Sequence, residues 1–157
     1  PQEVEAVLSY LPPYLIQIPR RLEAVRAFAE LPEAASLAAA YKRIHNILEK
    51  DMKKGPVPGV GSARNLFIDT DLLKEPAEIT LFNALNSIKP QADEAFDTGH
   101  YTQSLQLLAA LKEPVDEFFD SVMVNVEDED LRANRLKLLT LLRDAMNRVA
   151  DLSKLAT

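Results

Sequence analysis

The chain has 157 residues, no cysteine, and 18 Lys+Arg against 24 Asp+Glu, a net charge of −6. This length suits one domain whose core needs no disulfide or metal staple, and the absence of cysteine excludes disulfide frameworks, thiolate zinc sites and cysteine nucleophiles. The acidity excludes a protein that coats nucleic acid non-specifically, because that mode rests on broad phosphate neutralisation.

The start, PQEVEAVLSYLPPYL, has no basic segment ahead of an apolar core. No apolar run approaches the roughly 18 residues of a membrane span. Neither secretion nor a membrane partner is expected. Because the chain opens at Pro1 rather than Met, it reads as a piece of a longer protein. Pro12-Pro13 separates a short first helix from a second, Arg20 to Leu31, which Pro19 introduces and whose inward residues are Leu22, Val25, Phe28 and Ala29.

In 33–54 the residues Leu37, Ala40, Tyr41, Ile44, Ile47 and Leu48 follow the i, i+3, i+4 rule of an amphipathic helix, with Pro32 and Glu33 in its first turn. Its opposite face carries Lys42, Asn46, Glu49, Lys50 and Lys53, with Arg43 and His45 at the edges. From Gly55 to Asp71 the run GPVPGVGSARNLFIDTD breaks any helix and reads as one long loop.

Pro76 opens a further helix with Leu81, Leu85 and Ile88 inward; Pro90 is expected to bend or break it, and Gly99 to end it. Tyr101 to Lys112 repeats Leu105, Leu108 and Leu111, and Pro114 starts a short helix through Phe118 and Phe119 to about Val122. Only MVNV, 123–126, has an extended character. The last and longest helix is expected over 128–155, with Leu131, Leu138, Leu142, Ala145, Val149 and Leu152 on one face. Acids 127–130 sit where a helix N-terminus favours negative charge. The fold class is all-α, without internal repeats or low-complexity tracts.

Charge is distributed unevenly over this framework. Residues 41–65 contain Lys42, Arg43, Lys50, Lys53, Lys54 and Arg64 against two acids, whereas 113–130 contains eight acids and no Lys or Arg after Lys112. By charge pattern alone the basic face is a solvated helix surface. Arg135, beside Asn134, lies by helical phase within the apolar arc of the last helix, where an unpaired guanidinium is costly. Either an ion pair with Asp116 or Asp120, spaced i, i+4 on the preceding helix, or a ligand must accept its hydrogen bonds. Gly59-Val60-Gly61 lacks the following Gly and Lys of a phosphate-binding loop. His45 and His100 have no ligand-like spacing, and the acids at 116–120 and 127–130 read as helix-terminal, solvated groups.

Three segments in order carry a family resemblance. PVDEFFDSVMVNVEDEDLRANRLKLLTLLRDAMNRVADLSKL (114–155) resembles the end of the bacterial glycyl-tRNA synthetase beta subunit. KRIHNIL (42–48) resembles that family's Lys-Arg-x-x-Asn-Ile-Leu signature, and LLKEPAEITLFNAL (72–85) the stretch that follows it. Tyr41 and His45 depart from the family's usual Asn and small residue. The resemblance implies a helical bundle of the DALR anticodon-binding type, shared with arginyl-tRNA synthetase, over 31–157. Residues 1–30 would be N-terminal helices or a linker to a preceding domain. LRANRLKLL (131–139) looks like the last-helix motif of that class.

It further implies a non-catalytic part of a cytoplasmic glycine-tRNA ligase, with no cofactor in this domain. The implied partners are the glycine tRNA anticodon arm, the rest of the beta subunit and the catalytic alpha subunit. Unstacked anticodon bases are read by Asn and Arg edges and stacked on flat groups, while cations hold phosphates. The expected base readers are therefore Arg43, Asn46 and either Asn134 or Arg135, and the phosphate contacts are Lys42, Lys50, Lys53 and Arg64. Arg132 suits a phosphate or simple solvation. The alternative is a helical docking module for subunit assembly, in which the basic row is incidental.

Overall fold

A computed structural model of the chain describes residues 2–3, 15, 17–54 and 67–156. The expected first helix before Pro12-Pro13 and most of the 55–71 loop lie outside these residues. The described residues form six α-helices and two 3-10 turns, with no strand among them. Helix α1 is Ile18–Ala29, α2 Ala34–Met52, α3 Pro76–Asp97, α4 Tyr101–Ala109, α5 Lys112–Ser121 and α6 Glu129–Met146; the turns are Thr70–Leu72 and Leu152–Leu155. The fold is thus all-α, as the periodicity predicts.

The core is one cluster. Leu37, Ile44 and Leu48 of α2 meet Leu81 and Leu85 of α3, Leu105 and Leu108 of α4, Phe118 of α5, and Leu138, Leu139 and Leu142 of α6. Helix α3 packs along α4 and α5, α1 closes over α4, and α2 lies against α5, α6 and the final turn. Each buried leucine or phenylalanine contributes about 1.5–3 kcal/mol relative to exposure.

Helix α1 turns Phe28 and, in part, Val25 inward as expected, but its buried face is rotated from the expected one. Ala24 and Phe28 are fully buried, whereas Leu22 and Ala29 are exposed. The phase is set by Arg21, which shares the Ala24–Phe28 stripe. Its Nη1 donates to the carbonyls of Arg148 (2.7 Å) and Val149 (2.9 Å), and its guanidinium lies over the rings of Phe96 and Tyr101.

Helix α3 runs unbroken through Pro90, so the expected break does not occur. Proline removes the bond to the carbonyl four residues back, and both Pro90 and Asn86 are exposed, so the missing bond falls on the solvent side. The helix ends as expected at Gly99, with φ +81°. His100 N–H donates to Ala95 O (2.8 Å) and Gly99 N–H to Phe96 O (3.0 Å), closing a Schellman cap.

Helix α5 begins at Lys112, two residues before Pro114, because proline is tolerated within a first turn, whose N–H groups have no intrahelical partner. MVNV is irregular rather than a strand. The last helix stops at Met146, well short of 155. Asp151 caps a new turn by accepting from Ser153 N (3.1 Å) and Ser153 Oγ (2.6 Å), and the chain folds back so that Val149 and Leu152 still reach the core. Among the described residues no helix is long and apolar enough to cross a membrane.

Candidate nucleic-acid interface

The basic segment forms the C-terminal half of α2, and helical phase divides its charges into two stripes. Arg43, Ile47, Lys50 and Lys54 face a groove of about 460 Å³ whose other wall is the end of α5 and the 122–125 segment, with Arg132 of α6 behind it. Lys42, Asn46, Glu49 and Lys53 form the neighbouring, exposed stripe. Arg43 is itself exposed, yet its guanidinium carbon sits 4.5 Å above the Phe119 ring, which fixes a flat cation at the groove's edge.

The groove combines an apolar floor with a cationic rim. Ile47, Val122 and Leu136 line its depth, while Met123, 74% exposed, and Asn125 stand on its outer wall. Asp51 and Asp120 are the acids that line it. Asp51 is buried and lies 3.7 Å from Arg132; among the described residues Lys42, Arg43, Lys50, Lys53 and Lys54 form no ion pair. His45 is directed to Glu49 at 3.5 Å instead.

Asn134 and Arg135 do not face this groove as open groups. Asn134, 2% exposed, accepts from Asp69 N–H (2.9 Å) and donates to Asp69 O (3.0 Å). Arg135, 5% exposed, pairs with Glu78 through Nε and donates from Nη1 to Met123 O (2.6 Å). The expected partner for Arg135, Asp116 or Asp120, is therefore corrected to Glu78. Asp116 is engaged elsewhere: burial would raise its carboxyl, but bonds from Lys112 (2.7 Å) and Ser36 (2.8 Å) hold it below the ordinary value.

Glu78 is fully buried, and its other oxygen accepts from the Lys74 and Glu75 N–H groups, both at 2.9 Å. Together with Glu75 it forms a capping box at the start of α3. Glu, Pro and Glu at 75, 76 and 78 ahead of an apolar run is a legible cap signal. That spacing was the available clue to Glu78; no comparable signal marked Phe119, Met123 or Asn125 as groove residues.

Of the nine residues expected to bind RNA, Arg43, Lys50 and Arg132 meet at the groove, and Lys42, Asn46 and Lys53 share the adjoining stripe. Asn134 and Arg135 lie buried behind it, and Arg64 lies outside the described residues. Tyr41 is buried, as its place on the apolar edge implies; its hydroxyl donates to the carbonyls of Leu142 and Arg143, and burial raises its pKa far above the usual phenol value.

Residues 37–155 match the DALR anticodon binding domain. Along 99% of its length the chain is similar to proteins named glycine–tRNA ligase beta subunit: 59% identical to that of Janthinobacterium sp. (strain Marseille), 58% to that of Dechloromonas aromatica (strain RCB) and 57% to that of Nitrosomonas europaea. It spans about a fifth of the length of these relatives, 20–21%. The helical bundle, its ordered motifs and a domain match that runs from the core of α2 to the final turn agree, and the chain belongs to the DALR anticodon-binding domain family.

Proposed function

We propose that this chain holds the anticodon arm of a glycine tRNA, as the anticodon-binding part of a cytoplasmic glycine-tRNA ligase beta subunit, and so positions that tRNA for aminoacylation by the alpha subunit. In this reading the domain carries no catalytic centre and needs no cofactor. The observation that carries the proposal is the groove between α2 and the 122–125 segment, with its apolar floor, stacked Arg43–Phe119 pair and cationic rim. Anticodon bases are splayed out of their stack, so a protein can seat their faces on aromatic, guanidinium or apolar groups and read their edges with amides. The groove's volume, about 460 Å³, lies in the range of small-molecule binding clefts, roughly 300–1,000 Å³.

The placement of the described residues supports a division of labour, to which Arg64 is added on its charge alone. Arg43 and Asn46 act at bases, Asn125 and Met123 provide the facing wall, and Lys42, Lys50, Lys53, Arg64 and Arg132 act on phosphates. Asn134 and Arg135 act on the RNA through the segments they hold. The test is a titration of the chain with a glycine-tRNA anticodon stem-loop and with a copy whose anticodon cytidines are replaced, each at two salt concentrations. The expected result is weaker binding of the altered loop and loss of affinity as salt rises. Equal binding of both loops, or none, rejects the reading.

A docking role for another face is favoured by one observation. Ile18 and Leu22, one turn apart on α1, are 43% and 51% exposed, a surface suited to contact with the remainder of a beta subunit.

A further inference from the structure

We infer that Arg135 is a positioning residue: it makes no contact with RNA but fixes the 122–125 wall of the groove, and so sets how well that groove discriminates between anticodon bases. The inference rests on the RNA-binding reading above. It is carried by a continuous line of hydrogen bonds. The backbone N–H groups of Lys74 and Glu75 fix one oxygen of Glu78, the other oxygen takes Arg135 Nε, and Arg135 Nη1 reaches the Met123 carbonyl at 2.6 Å. Glu78 and Arg135 are 0% and 5% exposed, whereas the side chain that this carbonyl anchors is among the most exposed apolar groups of the described residues.

The segment needs such an anchor. Residues 122–128 lie outside any helix, and Val126 N–H to Val124 O at 3.1 Å is the backbone bond that joins two of them. With the Met123 carbonyl drawn inward, its side chain is presented to the groove. Only a planar fork serves both ends of this line, because a guanidinium offers donors in fixed, divergent directions, while an ammonium is a single compact charge. Placing a bidentate group behind the recognition surface pre-organises the wall, which reduces the ordering cost when a base enters.

Two variants test this. Arg135→Lys keeps a charge opposite Glu78 but removes the fork. The double change Glu78→Gln with Arg135→Met removes both charges, leaves no orphan ion, and also frees the Met123 carbonyl. Leu108→Ala, a core truncation in α4 away from the groove, serves as a matched decrease in stability. The expected result is amide exchange at 122–126 faster by about tenfold in both Arg135 variants, the factor that removal of one charge-assisted hydrogen bond predicts. The ratio of affinities for the native and cytidine-replaced stem-loops should fall by a similar factor, roughly tenfold, with an unchanged salt slope. Leu108→Ala should keep both the ratio and the local exchange.

Native exchange at 122–126 in a folded variant overturns the anchor, and an unchanged discrimination ratio overturns its role in recognition. Failure of the unsubstituted chain to bind either stem-loop rejects the RNA reading and this role with it, while the exchange result still reports separately whether Arg135 holds the segment.

Discussion

At the scale of single residues, the most consequential pair is Glu78 with Arg135. Both are buried, and each is satisfied by the other and by backbone groups. Removing one charge strands its partner in a medium that solvates it poorly. We therefore expect Glu78→Gln alone to lower the unfolding free energy by about 3–5 kcal/mol in urea titrations, and its combination with Arg135→Met, which removes the stranded guanidinium, to recover part of that deficit. Tyr41 is a milder case. Its hydroxyl donates to carbonyls at the end of α6, and the Arg143 carbonyl also accepts from Asn147 N–H. Tyr41→Phe should thus cost about 1 kcal/mol by the same titration, with stem-loop affinity unaltered. Helical phase alone identified Arg135 as a buried cation and Tyr41 as a core residue. It did not identify Glu78 as the partner, because that residue is 57 positions away.

Among the elements, α3 shows how position decides the cost of a breaker. Pro90 lies on the exposed side of an otherwise continuous helix. Pro90→Ala restores one solvent-side hydrogen bond, partly offset by a freer unfolded chain, and should stabilise the protein by about 1–2 kcal/mol in thermal unfolding. The same helix is tied to the end of α6 by acids. Arg148 bridges Asp93 (2.8 Å) and Asp97 (3.0 Å) while lying over Phe96, and Lys89 reaches Asp93 at 2.5 Å. Burial would raise the Asp93 carboxyl, but the hydrogen bonds from Lys89 and Arg148 outweigh it and hold it below the ordinary carboxylate value. A carboxyl whose pKa is lower when folded binds fewer protons in the folded state. Its stabilisation is therefore complete above the unfolded value and disappears as pH falls through the folded one. Asp116 and Asp151 are lowered too and act in the same direction. Stability should be nearly flat from about pH 5 to 7 and fall below about pH 4. Asp93→Asn should cost about 1 kcal/mol at neutral pH, and that difference should close in strong acid.

For the whole molecule, the informative quantity is where charge lies rather than its sum. The net charge is −6, yet the α2 surface presents two cationic stripes beside one groove. Steering of an RNA to that surface is local, because screening confines each charge to about 8–10 Å at ordinary ionic strength. Lys42→Ala, Arg43→Ala and Lys50→Ala together should leave the helix content unchanged and weaken stem-loop binding. The plot of log affinity against log salt should become shallower by about 0.7 for each phosphate that the variant no longer neutralises. Full retention of affinity by that triple variant would instead assign the domain to protein docking.

The sequence by itself determined the all-α class, the positions of most helices, the Gly99 stop, the basic face of α2 and, through three ordered motifs, the family. These are local properties: 3.6-residue periodicity, caps and short signatures are written in neighbouring residues. Only the tertiary structure decided which face α1 buries, that the chain doubles back after Met146, and that Arg135 meets Glu78 and the Met123 carbonyl. It also decided that the basic row of α2 has an opposing wall at Phe119 and Met123. Each of these depends on groups far apart in the chain, and periodicity fixes an angle around one helix axis without fixing the neighbour that the angle faces. The groove follows from that geometry, since its two walls are separated by some seventy residues of sequence and meet only because α2, α5 and α6 share one core.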